Sequence, residues 1–151
     1  MDTPAYRSTR VSGLADAVVS GLIAGLWAGL AMLAYLMVAS WTLDDAPVIL
    51  MTIFAPYNQP SLLTGAMLHL AVSGVYGMAY GLLWYWTPQP VHHMPRWLGG
   101  VLYGMLLLGL AEAVILPGPG AALTAIPLLH FALAHLVYGL VLAVRMGRLA
   151  G

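Results

Sequence analysis

A long apolar stretch, Ser61 to Trp86, most limits what this chain can fold into. It contains no charged residue, and it exceeds the roughly 20 residues that a helix needs to cross the hydrocarbon core of a bilayer. In the whole chain, 62% of the residues are hydrophobic and only 7% are charged, whereas about a quarter of the residues of a soluble protein are charged. So few polar residues could not cover a water-soluble surface. The sequence therefore predicts an integral membrane protein.

The same stretch carries small and polar residues on one side. At 100° per residue, that side is formed by Gly65, His69, Ser73, Gly74, Tyr76, Gly77, Tyr80, Gly81 and Trp84. A helix that faces only lipid has no need of this arrangement. We therefore expect this side to pack against other helices.

The remaining apolar stretches complete the predicted architecture. We expect an all-α, single-domain four-helix transmembrane bundle over residues 1–151, with spans at about 13–41, 61–86, 96–116 and 125–146. A further apolar run at about 46–54 is too short to span a bilayer. We interpret it as an interfacial or re-entrant segment.

Orientation follows from the cationic residues, all of which are arginines: Arg7, Arg10, Arg96, Arg145 and Arg148. With four spans, every arginine falls on one side of the membrane, and the two aspartates of the first loop fall on the other. The positive-inside rule then predicts that both termini are cytoplasmic. We expect the protein in the cell inner (cytoplasmic) membrane, with multiple passes.

The first span contains a doubled small-residue motif, Gly21-x-x-x-Gly25-x-x-x-Gly29. Such spacing lets two helix backbones approach closely inside a membrane. Our leading interpretation is a tight contact within the same chain. The alternative is a homo-oligomer that associates through these three glycines.

The sequence also contains a faint internal repeat. Ser73-Gly-Val-Tyr-Gly77 in the second span parallels His135-Leu-Val-Tyr-Gly139 in the fourth, and Gly29-Leu-Ala corresponds to Gly109-Leu-Ala in the first and third. Two tandem copies of a two-helix hairpin would give this pattern. Chance matches among abundant Gly and Ala are the alternative explanation.

These motifs carry a family resemblance. Small residues before Met32, the motif His69-x-x-x-Ser-Gly-x-Tyr-Gly and its echo His135-x-x-Tyr-Gly resemble those of small uncharacterised four-helix bacterial and archaeal integral membrane proteins. The resemblance covers most of the chain. It implies a fold and no activity.

Four ionisable residues, His69, Glu112, His130 and His135, are predicted to lie at membrane depth, in the outer half of the bilayer. Such residues are costly in lipid and face protein or water, which makes each one a candidate for function.

Three hypotheses compete for these residues. In one, His69 and His135 ligate a b-type haem between the second and fourth helices. In another, a quinone head-group or proton-handling site is formed by Glu112, His130, Tyr76 and Tyr138, with His69 as an alternative histidine. The third and leading interpretation is that these residues make structural polar contacts between helices.

Other classes of function are disfavoured. No helix carries a close pair of metal ligands, so no metal site is predicted. The motifs of hydrolases, P-loops, Rossmann folds and zinc proteases are absent, and no basic patch favours nucleic acid. We therefore expect no enzymatic activity.

The sequence favours a non-enzymatic accessory or structural subunit of a larger respiratory or photosynthetic electron-transfer complex. Its expected partners are other integral membrane subunits and lipids. The first alternative is a redox membrane anchor that itself binds haem b or quinone, and the second is a small oligomeric transporter or channel. Our leading expectation is that the chain itself holds no cofactor.

Overall fold

The computed structural model describes residues 13–42, 61–87, 95–115 and 126–149. These residues form four α-helices: α1 (Leu14–Thr42), α2 (Leu62–Trp86), α3 (Arg96–Leu110) and α4 (Leu128–Leu149). A π-helical segment, Ala111–Ile115, continues α3. Every element of the described part is helical, which confirms the all-α prediction.

Four helical stretches are long and apolar enough to span a membrane: Leu14–Trp41, Leu62–Trp86, Arg96–Val114 (α3 with most of the π-helical segment) and Leu128–Arg148. Their mean hydropathies are 2.1, 1.4, 1.6 and 1.7. The four spans indicate a multi-pass membrane protein, as predicted. The predicted interfacial segment at 46–54 lies outside the described residues.

The start of α4 differs from the sequence-based boundary. The helix begins at Leu128, three residues after the predicted start at 125. Pro127 precedes it, and its carbonyl accepts a hydrogen bond from the Phe131 N–H at 3.0 Å. Proline tolerates this position because its missing N–H has no partner in the first turn of a helix.

The helices run up and down around the bundle in the order α2, α1, α4, α3. The backbones of α1 and α2, of α1 and α4, and of α3 and α4 pack closely. Side chains join α2 to α3, since the rings of Tyr80 and Tyr103 lie 5.0 Å apart. The Tyr103 hydroxyl also donates a hydrogen bond to the Tyr76 carbonyl at 2.7 Å.

Glycines bring α1 and α2 into backbone contact. A Cβ atom added at Gly21 would collide with the carbonyl oxygen of Gly77, and one at Gly25 would lie 2.5 Å from the carbonyl oxygen of Ser73. No side chain larger than hydrogen fits between these backbones. The Gly21, Gly25 and Gly29 face therefore contacts α2 of the same chain, and a second copy could reach it only if this hairpin separated.

The α3–α4 hairpin is packed in the same way. A Cβ atom at Gly100 would collide with the carbonyl of Gly139, and one at Gly104 with the carbonyl of His135. In contrast, a Cβ atom at Gly109 would meet nothing within 4 Å. Gly100 and Gly104 of α3 therefore pack as Gly21 and Gly25 of α1 do. The internal repeat predicted from the sequence instead matched Gly109 with Gly29, and Gly109 makes no such contact.

The two hairpins meet along α1 and α4. The buried cluster at this seam includes Ala24, Ala28 and Leu36 of α1 together with Ala134 and Leu142 of α4. The small residues again let the helices approach closely. Close approach matters inside lipid, because helices there associate through van der Waals packing and not through the hydrophobic effect.

Two contacts involving polar side chains also join α1 to α4. The guanidinium carbon of Arg145 lies 4.2 Å from the ring centroid of Trp27, a cation–π distance. Further along α1, the Tyr35 hydroxyl lies 3.0 Å from His130 Nδ1. The three described arginines, Arg96, Arg145 and Arg148, all lie at the end of the bundle where α1 begins.

Glycine packing predicts a sharp difference between two single substitutions. We expect Gly77→Ala to destabilise the protein by at least about 1–3 kcal/mol, because its methyl group would overlap the α1 backbone. Gly109→Ala is the matched control, since its methyl group meets no neighbour, and we expect a change within about 1 kcal/mol. Reversible unfolding with SDS measures both. Equal stability of the two variants would contradict the backbone contact.

Candidate functional site

A cavity of about 100 Å³ lies between the two hairpins. All four helices contribute to its lining, which comprises Met32, His69, Val72, Ser73, Tyr76, Leu107, Ala111, Phe131, His135 and Tyr138. Most of the lining is apolar, and the imidazoles, hydroxyls and phenols of five residues interrupt it. Ligand sites in proteins typically have this composition.

The two histidines of the cavity lie at the same depth. His69 follows the first residue of α2 by seven positions (69 minus 62), and His135 follows the first residue of α4 by seven (135 minus 128). At 1.5 Å per residue, each lies about 10 Å into its helix. Because α2 and α4 begin at the same end of the bundle, both imidazoles occupy one layer.

His69 is buried and bonded to the neighbouring helix. Its Nε2 lies 3.1 Å from the carbonyl oxygen of Gly29. Because a carbonyl only accepts hydrogen bonds, Nε2 carries the proton. The small Gly29 leaves space for the Ser73 side chain beside it, so the glycine that lets α1 and α2 approach also helps to position the histidine.

His135 is oriented by the preceding turn of its own helix. Its Nδ1 donates to the Phe131 carbonyl at 2.8 Å, and the Phe131 ring packs edge-on at 4.6 Å between centroids. With Nδ1 protonated, Nε2 is the acceptor nitrogen of the neutral ring. A histidine fixed in this way is prepared to accept a hydrogen bond from a ligand.

Two tyrosines of α3 and α4 donate hydrogen bonds to the backbone of α2. The Tyr138 hydroxyl donates to the Ser73 carbonyl at 2.7 Å, and the Tyr103 hydroxyl donates to the Tyr76 carbonyl at the same distance. The two carbonyls lie one turn apart on α2. These bonds connect α2 to α4 and α3, whose backbones pack less closely against it than that of α1 does.

The other two predicted site residues are not part of the cavity lining. His130 is hydrogen-bonded to Tyr35. Glu112 is exposed, although its carboxylate lies within electrostatic reach of His135. His130 and His135 are about 140° apart around α4, which prevents both from facing one small cavity. Glu112 follows Ala111, and since Ala111 faces the cavity, the next position is turned aside.

A change in helix type occurs at the edge of the cavity. The N–H of Ala111 is shared between the carbonyls of Leu107 and Leu108, and the helix then continues as the π-helical segment Ala111–Ile115. Leu107 and Ala111 both line the cavity. Short π segments in α-helices occur frequently at functional sites.

Six predicted residues thus divide into two groups. His69, His135, Tyr76 and Tyr138 line one cavity, whereas Glu112 and His130 are not among its lining residues. The apolar part of the lining and Ser73 were not predicted as parts of a site. Among the apolar residues, only Phe131 carries a local signal, since it precedes His135 by four residues and therefore lies on the same face of the helix.

The geometry favours a neutral, partly apolar ligand. Among the described residues, no group of three His, Asp or Glu side chains could hold a metal ion. Val72 lines the cavity and is 43% exposed, so one apolar residue belongs both to the lining and to the outer surface of the bundle.

Comparisons with known proteins add no relative to this description. No family model, no curated protein sequence and no solved structure matches the chain.

Proposed function

We propose that this multi-pass membrane protein binds a lipid-soluble ligand with a polar ring, of the quinone class, between its two hairpins. The observation that supports the proposal is the cavity, which has two histidines, two tyrosines and the partly exposed Val72 on its lining. The head group would lie among the polar residues, with its hydrocarbon tail directed into the surrounding lipid.

The size of the cavity argues against a large macrocycle. It measures about 100 Å³, less than the roughly 150 Å³ of a cavity that holds benzene in another protein, so even a single substituted ring would require the lining side chains to move. A porphyrin would require much more space and would have to displace the contact between His69 Nε2 and Gly29. These two observations favour a quinone head group over the bis-histidine haem.

The exposed lining residue Val72 supports a ligand that arrives from lipid. It lies in the middle of α2, where the bilayer would surround a membrane-spanning helix. A site beside it would be reached by diffusion within the membrane rather than from water. Quinones have the required solubility, because their long tails keep them in the hydrocarbon region.

The hydrogen-bonding groups suit both redox forms of such a ring. His135 Nε2 is an acceptor for the hydroxyl of a quinol. The Tyr76 phenol and the Ser73 hydroxyl are donors for the carbonyls of a quinone. Uptake or release of a proton at a histidine would accompany the change of redox form.

We further propose that the chain works as an accessory subunit in an electron-transfer complex. A bound quinone exchanges electrons with a redox partner, and a chain without cysteine cannot ligate an iron–sulfur cluster through thiolates. A neighbouring membrane subunit would therefore supply or remove the electrons.

Substitution of one histidine tests the ligand site. We expect quinone to co-purify with the wild-type protein in a mild detergent and its amount to fall about tenfold or more in His135→Ala, because a buried hydrogen bond is lost. His130→Ala is the matched control, since it lies on the same helix and contacts Tyr35 instead. Solvent extraction and mass spectrometry measure the ligand.

Two results of this experiment would reject the proposals. If neither native membranes nor added short-chain quinone gave bound ligand in the folded wild-type protein, the quinone site would be wrong. If the protein eluted alone and homogeneous from native membranes, the accessory-subunit proposal would fail.

We propose that both termini are cytoplasmic, because the described arginines share one end of the bundle. The chain has no cysteine, so single-cysteine variants report orientation without background. We expect a membrane-impermeant maleimide to label Trp41→Cys on intact spheroplasts. Gly13→Cys should react only after the membrane is opened. The reverse pattern would contradict this orientation.

A further inference from the structure

A second concave site lies at the arginine end of the bundle, between the start of α3 and the end of α4. This cleft has a volume of about 480 Å³ and is lined by Pro95, Arg96, Trp97, Val144, Gly147 and Arg148, among others. It shares no lining residue with the ligand cavity.

One arginine of the cleft is held in place by the opposite helix. A guanidinium nitrogen of Arg96, Nη1, donates to the Gly147 carbonyl at 3.0 Å. A Cβ atom at Gly147 would lie 2.9 Å from the same nitrogen, so the glycine provides space for the guanidinium. A guanidinium has five N–H donors. One bond fixes its position and leaves further donors for a ligand.

The cleft is positively charged. Arg148 is exposed and lines it together with Arg96, and the described lining contains no acidic residue. The third arginine of this end, Arg145, lies against Trp27 at the seam between α1 and α4. The acidic residue Asp16 lies in the first turn of α1, a helix that packs against α2 and α4, and it is not among the lining residues of the cleft.

The cleft lies where lipid head groups would be. Arg96 and Arg148 are the first and last residues of the spans Arg96–Val114 and Leu128–Arg148. Trp97 is 55% exposed beside them, and tryptophan is enriched at the membrane–water interface. Basic pockets between transmembrane helices at this level are suited to anionic head groups.

We propose that Arg96 and Arg148 bind the phosphate of an anionic phospholipid from the leaflet at this end of the bundle. The guanidinium groups bond the phosphate oxygens, Trp97 lies at the level of the glycerol, and Val144 contacts the upper part of an acyl chain. This site is independent of the proposed quinone site, and neither requires the other.

Native mass spectrometry of the full chain in detergent tests the proposal with two added lipids, phosphatidylglycerol and phosphatidylcholine. We expect the wild-type protein to retain phosphatidylglycerol preferentially. Arg148→Gln and Arg96→Gln should each reduce this preference about fivefold, the amount that one arginine contributes near an anionic surface. Arg145→Gln is the matched control and should leave the preference unchanged.

Several outcomes would overturn the proposal. They are equal retention of the two lipids, the same loss in all three variants, and displacement of the lipid by millimolar inorganic phosphate, which would identify a site for free phosphate. If Arg96→Gln failed to fold because its bond to Gly147 is lost, the exposed Arg148 would decide the test. Circular dichroism and gel filtration establish the fold of each variant.

Discussion

Backbone contact between paired helices, made possible by glycine, is the constraint on which the rest of this structure depends. Inside lipid, apolar side chains gain little by leaving their surroundings, so helices associate through close packing and weak backbone interactions. At Gly21 and Gly77 of one hairpin and at Gly100 and Gly139 of the other, any side chain would meet the opposing backbone. Each hairpin is therefore a tight unit, and the protein consists of two such units joined along α1 and α4.

The cavity follows from this division. Small residues draw α1 onto α2 and α3 onto α4, whereas larger side chains separate α2 from α3. Tyr103 of α3 and Tyr138 of α4 connect their helices to α2 by donating hydrogen bonds to its backbone. The space that remains beside them contains His69 and His135. Tight packing within the hairpins thus positions the polar groups, and looser packing between them leaves room for a ligand.

Much of this arrangement is predictable from the sequence, because helix periodicity determines which residues share a side. All seven buried residues of α2 belong to the side predicted to pack, and the separation of His130 from His135 follows from their angular distance. Contacts between helices are harder to predict. The Tyr35–His130 bond and the Trp27–Arg145 contact depend on the offset and rotation of α1 against α4, which no local pattern records. The position of Glu112 likewise depends on how α3 is rotated in the bundle and on the π segment that begins beside it.

The central claim, that two glycine-packed hairpins enclose the site, is tested most directly by NMR of the glycine-labelled protein in detergent micelles. Nuclear Overhauser effects between α-protons report close approach of two backbones without any substitution. We expect cross-peaks between Gly25 and Gly77 and between Gly104 and Gly139, with none from Gly109 to any glycine of α4. Absence of the first two cross-peaks in a folded sample would show that the helices pair differently and would contradict the cavity between the two hairpins.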